Sequence, residues 1–191
     1  MPLLKRKVTY RLYPTKRQAA GMQDTLLLHQ QLYNGALEER IGAYKTHKKT
    51  LTCFDQNQEL THLRKDIQEY RSLNAQSLQV TMKRLDLAFK AFFRRLKNGN
   101  KPGFPRFKSL DRYPGWGYAT HGDGWRLFPG DDNKHGVLRL SGVGHIKMRG
   151  KARNVGVPKT CEIQHKQGRW YASVTLECEA QTWVWRRCHW Y

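Results

Sequence analysis

Acidic side chains are scarce in this chain. Its 191 residues hold 15 Asp and Glu against 35 Lys and Arg, a formal net charge of +20. A two-metal nuclease centre needs several acids converging from separate elements. The only adjacent pair, Asp131-Asp132, lies in "FPGDDNKHG", which has turn composition. Long apolar runs are lacking too: none approaches the ~18 residues of a membrane helix, and "MPLLKRKVTYRLYP" carries no signal-peptide core. A cytoplasmic protein without membrane contact is expected. No Cys-x-x-Cys pair occurs among Cys53, Cys161, Cys178 and Cys188, so free thiols are the simplest state. A zinc site from Cys178, Cys188 and His189 would have irregular spacing. The eight histidines form no helical His-Glu-x-x-His pair, and "HGDG" and "GVGHIKMRG" lack phosphate-loop spacing. No cofactor is expected.

What is abundant points one way. A field of +20 attracts polyanions. An aromatic share of 12% is too high for a disordered basic tail. A folded nucleic-acid binder is the leading class.

The chain changes character along its length. "KRKVTYRLY" (5–13) alternates: Val8, Tyr10 and Leu12 face one way, Thr9, Arg11 and Tyr13 the other, as in a half-buried strand. Pro14 ends it, and Thr15 with Gln18 forms a capping box. Met22, Leu26, Tyr33, Leu37 and Tyr44 then carry a helix to about residue 47, although Asn34-Gly35 argues against one unbroken rod. After a polar loop, Asp55 is positioned to cap a second helix with the stripe Leu60, Leu63, Ile67 and Tyr70. Asn74 is positioned to cap a third, whose stripe of Leu78, Met82, Leu85, Phe89, Phe92 and Leu96 reads as core. Asn98-Gly99 stops it. The rest is short alternating runs: strands at 137–140, 144–149, 161–167 and 169–177, with a Gln167-Gly168 hairpin turn. One strand, then helices, then several strands reads as an α+β fold, a small β-barrel interrupted by a helical-bundle insertion. Residues 1–14 supply the first strand, 15–100 the helical insertion, 101–178 the remaining barrel, and 179–191 an atypical tail.

On the third helix Gln76, Gln79, Lys83, Lys90, Arg94 and Lys97 share one flank of the apolar stripe, with Arg84 and Arg95 on the other. Glutamine amides can pair with an adenine edge while the cations hold phosphates or guanine. A solvated helix face normally mixes signs. Here, from 83 to 112, ten basic residues meet only Asp86 and Asp111. "KNGNKPGFPRFKS" (97–109) extends the same basic surface through Lys101, Arg106 and Lys108. Its Phe104 and Phe107 fit either base stacking or core packing. Lys147, Arg149, Lys151 and Arg153 form a further basic set, which either lines a barrel face or solvates an edge strand.

Five motifs in order carry a resemblance. "YRLYPTKRQ" (10–18), "YNGALEER" (33–40), "LDLAFKAFFRR" (85–95), "GFPRFKS" (103–109) and "GRWYASVTLE" (168–177) resemble the amino-terminal half of the TnpB/OrfB family. That family comprises transposon-encoded RNA-guided DNA nucleases, long described as transposases. The resemblance implies a β-barrel wedge domain split by a helical recognition domain, binding a transposon-derived guide RNA and the duplex DNA beside the target. In the family a RuvC-like nuclease domain follows, with an Asp, a Glu, a second Asp and a Cys-x-x-Cys zinc ribbon. None of these occurs here. After "TLECEAQ" the chain runs into "TWVWRRCHWY", as a truncation or an out-of-frame ending would give. Binding without cutting is the expectation. A split endonuclease completed by a separate nuclease domain, or a decayed transposon product, are the alternatives. A ribosomal-type RNA binder would share the charge but leave the motif order unexplained.

Overall fold

A computed structural model describes residues 3–132, 134–150 and 156–179. Strand β1 (Leu3–Tyr13) leads into helices α1 (Lys16–His47), α2 (Cys53–Asp66), α3 (Gln68–Ser72) and α4 (Ala75–Lys97). A single 3-10 turn (Leu110–Arg112) precedes β2 (Gly115–Tyr118), β3 (Trp125–Pro129), β4 (His135–Leu140), β5 (Gly144–Arg149), β6 (Val157–Lys166) and β7 (Arg169–Glu179). Among the described residues all seven strands join one antiparallel sheet in the order β2-β6-β7-β1-β5-β4-β3. The helices are therefore inserted between β1 and the strands that flank it.

The sheet curls but does not close. β2 and β3 are its two edges, so the expected barrel is an open half-barrel. Its inner side is filled rather than hollow. Tyr10 and Leu12 of β1, Trp116 of β2, Trp125 of β3, Ile146 of β5 and Trp170 of β7 form one buried cluster with Met22 and Leu26 of α1. β2 is buried at every position. Trp116 stacks on His29 of α1, and Gly117 lies against Val80 and Arg84 of α4.

Local chemistry explains most boundaries. The Thr15–Gln18 capping box is complete, and the Gln18 amide also donates to the His145 carbonyl at 2.8 Å, tying the start of α1 to the sheet. Asn74 accepts from the Ser77 N–H and opens α4. Gln167 and Gly168 both take positive φ (49° and 70°), the left-handed pair a tight hairpin requires. In the β3–β4 hairpin Asp132 accepts from the Lys134 and His135 N–H groups, so "FPGDDNKHG" is a turn. Cys53 and Cys161 are unbridged thiols.

Several expectations are corrected. Asn34-Gly35 does not interrupt α1, because Asn34 spends its side chain on the 101–109 segment rather than on its own backbone. Thr52, not Asp55, caps α2; Asp55 is the reciprocal third residue of a capping box. The second helix breaks at Ile67, whose extended backbone separates α2 from α3. Stripe residues Tyr44 and Leu96 are exposed, since the bundle covers only part of α1 and α4. Strands β2 and β3 were not anticipated. The expected tail, the Cys178–Cys188–His189 site, and Lys151 and Arg153 fall wholly or partly outside the described residues.

Candidate nucleic-acid interface

The predicted residues fall into three groups. The first runs along α4. Gln76 points into the fold: its Oε1 accepts from the Ala119 and Thr120 N–H groups at 2.9 and 2.8 Å. Half of the amide needed for a paired contact with a base is thus engaged. Gln79 is exposed beside a groove between α2 and α4 that Arg64, Lys65 and Arg71 also line. Those two arginines donate to carbonyls at the α2–α3 break, including Tyr70 O and Lys65 O. Lys83, Arg94 and Lys97 are exposed. Lys90 pairs with Asp86 at 2.8 Å, which holds its pKa above the ordinary value. On the other flank Arg84 turns inward, donating to the Gly115 carbonyl and lying 3.5 Å from Glu162.

The second group is the connector after α4. Lys101 and Arg106 are exposed. Lys108 is clamped by its backbone: its N–H donates to Asn34 Oδ1 at 2.9 Å, and its carbonyl accepts from Asn34 Nδ2 at 2.9 Å and Gln30 Nε2 at 2.5 Å. Its ammonium lies 5.8 Å from the centre of the Tyr33 ring.

The third group is on the sheet. Lys147 and Arg149 are exposed on β5, which lies between β1 and β4 and is not an edge. They therefore line a sheet face, and the register gives them company. Arg149 is directly opposite Arg11 on one side and His135 on the other; Lys147 is opposite Tyr13 and Val137; Arg139 is opposite Arg126 and His145. Directly opposite residues share a face, with Cβ atoms about 5 Å apart. Arg11, Arg126, Arg139, Lys147 and Arg149 thus form one band about 14 Å across at the usual strand spacing. Tyr13, Phe128 and His145 stand on the same face, and the Arg11 guanidinium lies 5.0 Å from the Tyr13 ring centre.

The other half of that face serves as an internal comparison. There Lys7 pairs with Glu162 at 2.7 Å and Lys159 with Glu177 at 2.8 Å. Burial alone would raise the Glu162 pKa, but Lys7 and Arg84 hold it below its ordinary value. Across the β3–β4–β5–β1 band, none of the five cations forms an ion pair with a carboxylate among the described residues. Asp132, in the turn at the edge of this band, faces His135 and the turn backbone, whose donors hold its pKa far below the ordinary range. Like charges directly opposite one another are unfavourable in a sheet. A polyanion laid across them would relieve that repulsion.

Arg11, Arg126 and Arg139 were missed as site residues. Each sits at an outward position of a short alternating run, in "YRLY", "WRLF" and "VLRL", but only the register makes them neighbours. Among the described residues no group of three or more His, Cys, Asp or Glu could hold a metal ion. No described helix is long and apolar enough to cross a membrane.

Comparisons with known proteins bear on the class of the chain. A helix-turn-helix domain model of the OrfB proteins matches residues 1–49, which here form β1 and the single uninterrupted helix α1. A protein of Escherichia coli (strain K12) named as a candidate RNA-guided DNA endonuclease, InsQ, is 30% identical over 108 residues, covering 56% of this chain and 24% of that protein. A candidate RNA-guided DNA endonuclease of Streptomyces pristinaespiralis is 26% identical over 184 residues, 93% of this chain and 42% of that protein. The chain thus spans less than half the length of these curated relatives. These matches to the amino-terminal region support the resemblance to the TnpB/OrfB family that the five sequence motifs carry.

Proposed function

We propose that this chain is the nucleic-acid-binding portion of a TnpB/OrfB-like transposon protein. The backbone of a structured guide RNA lies across the β3–β4–β5–β1 band, and α4 with its connector meets the duplex DNA beside the target. The observation that carries this reading is the contrast within one sheet face, where Lys7 and Lys159 are ion-paired with carboxylates on one half and cations lie opposite one another without ion pairs among the described residues on the other. The relatives' names supply the two classes of partner, RNA and DNA. Binding without cleavage by this chain is part of the proposal, and the scarcity of acidic residues in the sequence supports it.

The test is binding of a folded RNA to the purified chain across a salt series. A steep negative slope of log affinity against log salt is expected, as counterions are released from each neutralised phosphate. Replacing Arg126 and Arg139 together by Ala should flatten the slope by about two units, one for each phosphate no longer neutralised. Mg²⁺-dependent cleavage of DNA should be absent from the same preparation. A slope unchanged by the double substitution would remove the sheet face from the interface.

A further inference from the structure

We propose that the aromatic cluster at the end of α4 is a stacking platform for unpaired nucleotides. The inference rests on the nucleic-acid reading above and assigns to it a second, chemically different contact. Phe89, Phe92, Phe93 and Phe104 form a continuous set: Phe104 meets Phe89 and Phe92 edge-on at 5.6 and 5.3 Å, and Phe93 meets Phe92 at 5.1 Å. The set has a buried side and an open side. Beneath it, the buried Arg40 guanidinium lies 5.1 Å from the Phe89 ring centre. At the surface Phe93 is 54% and Phe104 47% exposed. Phe104 is therefore packed in part against Phe89 and Phe92, with the rest of the ring in solvent.

Phe107 is 56% exposed, and the fold holds it there. Pro105 is buried on one side of it, and on the other Lys108 is fixed to α1 through Asn34 and Gln30. An exposed ring on a backbone fixed in this way is pre-organised for a ligand that covers it.

The rim selects the ligand. Arg94, Arg95, Lys97, Lys101 and Arg106 are exposed on the same helix end and connector that carry these rings, and no Asp or Glu occurs from residue 87 to 110. A polypeptide docking on an apolar patch would not call for such a one-sided rim. An unpaired strand does, since its bases stack on rings while its phosphates meet cations. Duplex DNA or RNA hides its base faces and would use only the cations.

The probe is an unpaired oligonucleotide carrying one 2-aminopurine, whose fluorescence falls when it stacks. The native chain should quench it and bind it more tightly than an abasic strand of equal length. Phe93→Leu combined with Phe107→Leu keeps apolar bulk at two exposed positions. It should weaken binding of the unpaired strand roughly tenfold and abolish the quench, leaving a duplex of equal length bound as before. Unchanged quenching in this variant would overturn the platform. So would equal losses for duplex and unpaired strand, or self-association of the native chain relieved by the double substitution without any change in strand binding. Salt-sensitive binding of folded RNA is the separate control: if it persists while the platform fails, the phosphate-binding reading stands alone.

Discussion

His29 shows how one residue can join two layers. It is fully buried, parallel to Trp116 with ring centres 6.0 Å apart, with Nδ1 2.8 Å from Thr81 Oγ1 and Nε2 3.3 Å from Ser77 Oγ. Each hydroxyl can donate either to the ring or to a backbone carbonyl, Ser77 O for Thr81 and Asn74 O for Ser77, so a neutral imidazole is satisfied when one hydroxyl donates to it and the other accepts its N–H. Burial first, and Arg84 second, lower its pKa from 6.5 to about 3. The unfolded chain therefore binds the proton more readily. The contribution to stability is complete above about pH 6.5 and is lost as pH falls towards 3. In His29→Phe, which keeps a ring on Trp116, that slope should vanish. The stability difference between native and variant should shift by about 2 kcal/mol in the variant's favour between pH 7 and pH 5, as read by urea unfolding at both pH values. An unchanged difference would mean that His29 is protonated in the fold. Nothing in the sequence distinguishes His29 from the other seven histidines. Its role arises because α1, α4 and β2 converge on it.

At the scale of elements, periodicity was a good guide wherever an element was long. The alternation of β1, the stripes of α1 and α4, and the Gln167-Gly168 hairpin are all legible. β2, "GWGY", and β3, "WRLFP", are too short to show a period, and glycine or proline in each reads as loop. The connector at 97–109 is legible as non-helical, but what fixes it lies more than seventy residues earlier, in Asn34 and Gln30. Asn34 both donates to and accepts from the Lys108 backbone, a reciprocal pair that only an amide can make. Asn34→Ala should therefore cost about 1–3 kcal/mol in chemical denaturation and open the Arg106–Phe107 bond to trypsin-like cleavage. Asn34→Asp keeps the acceptor but loses the donor, and should be destabilised as well. If neither variant changes the protease sensitivity of the connector, the clamp is not what orders it.

For the molecule as a whole, the order of strand, helices and strands was readable as an insertion, whereas closure was not. Whether a curled sheet becomes a barrel depends on its edges pairing, and the edges here are the two strands with the weakest sequence signal. Charge placement has the same character. The net +20 is visible in the composition, but only the register concentrates part of it on the β3–β4–β5–β1 band. Such a surface should trade stability for binding. Without nucleic acid, Arg139 faces Arg126 across one strand boundary and His145 across the other, and its guanidinium has no carboxylate within ion-pair distance among the described residues. Repulsion of this kind acts over about 30 Å at 0.01 M salt and about 8 Å at 0.15 M. The melting temperature of the native chain should therefore rise as salt is added over that range. Arg139→Gln should be more stable than the native chain at low salt, by a few tenths of a kcal/mol up to about 1 kcal/mol, and the advantage should fade as salt screens the pair. The same variant should bind folded RNA more weakly at every salt concentration. A substitution that lowered both stability and binding would instead show Arg139 to be part of the framework, and the band would lose its claim to be a surface held ready for a polyanion.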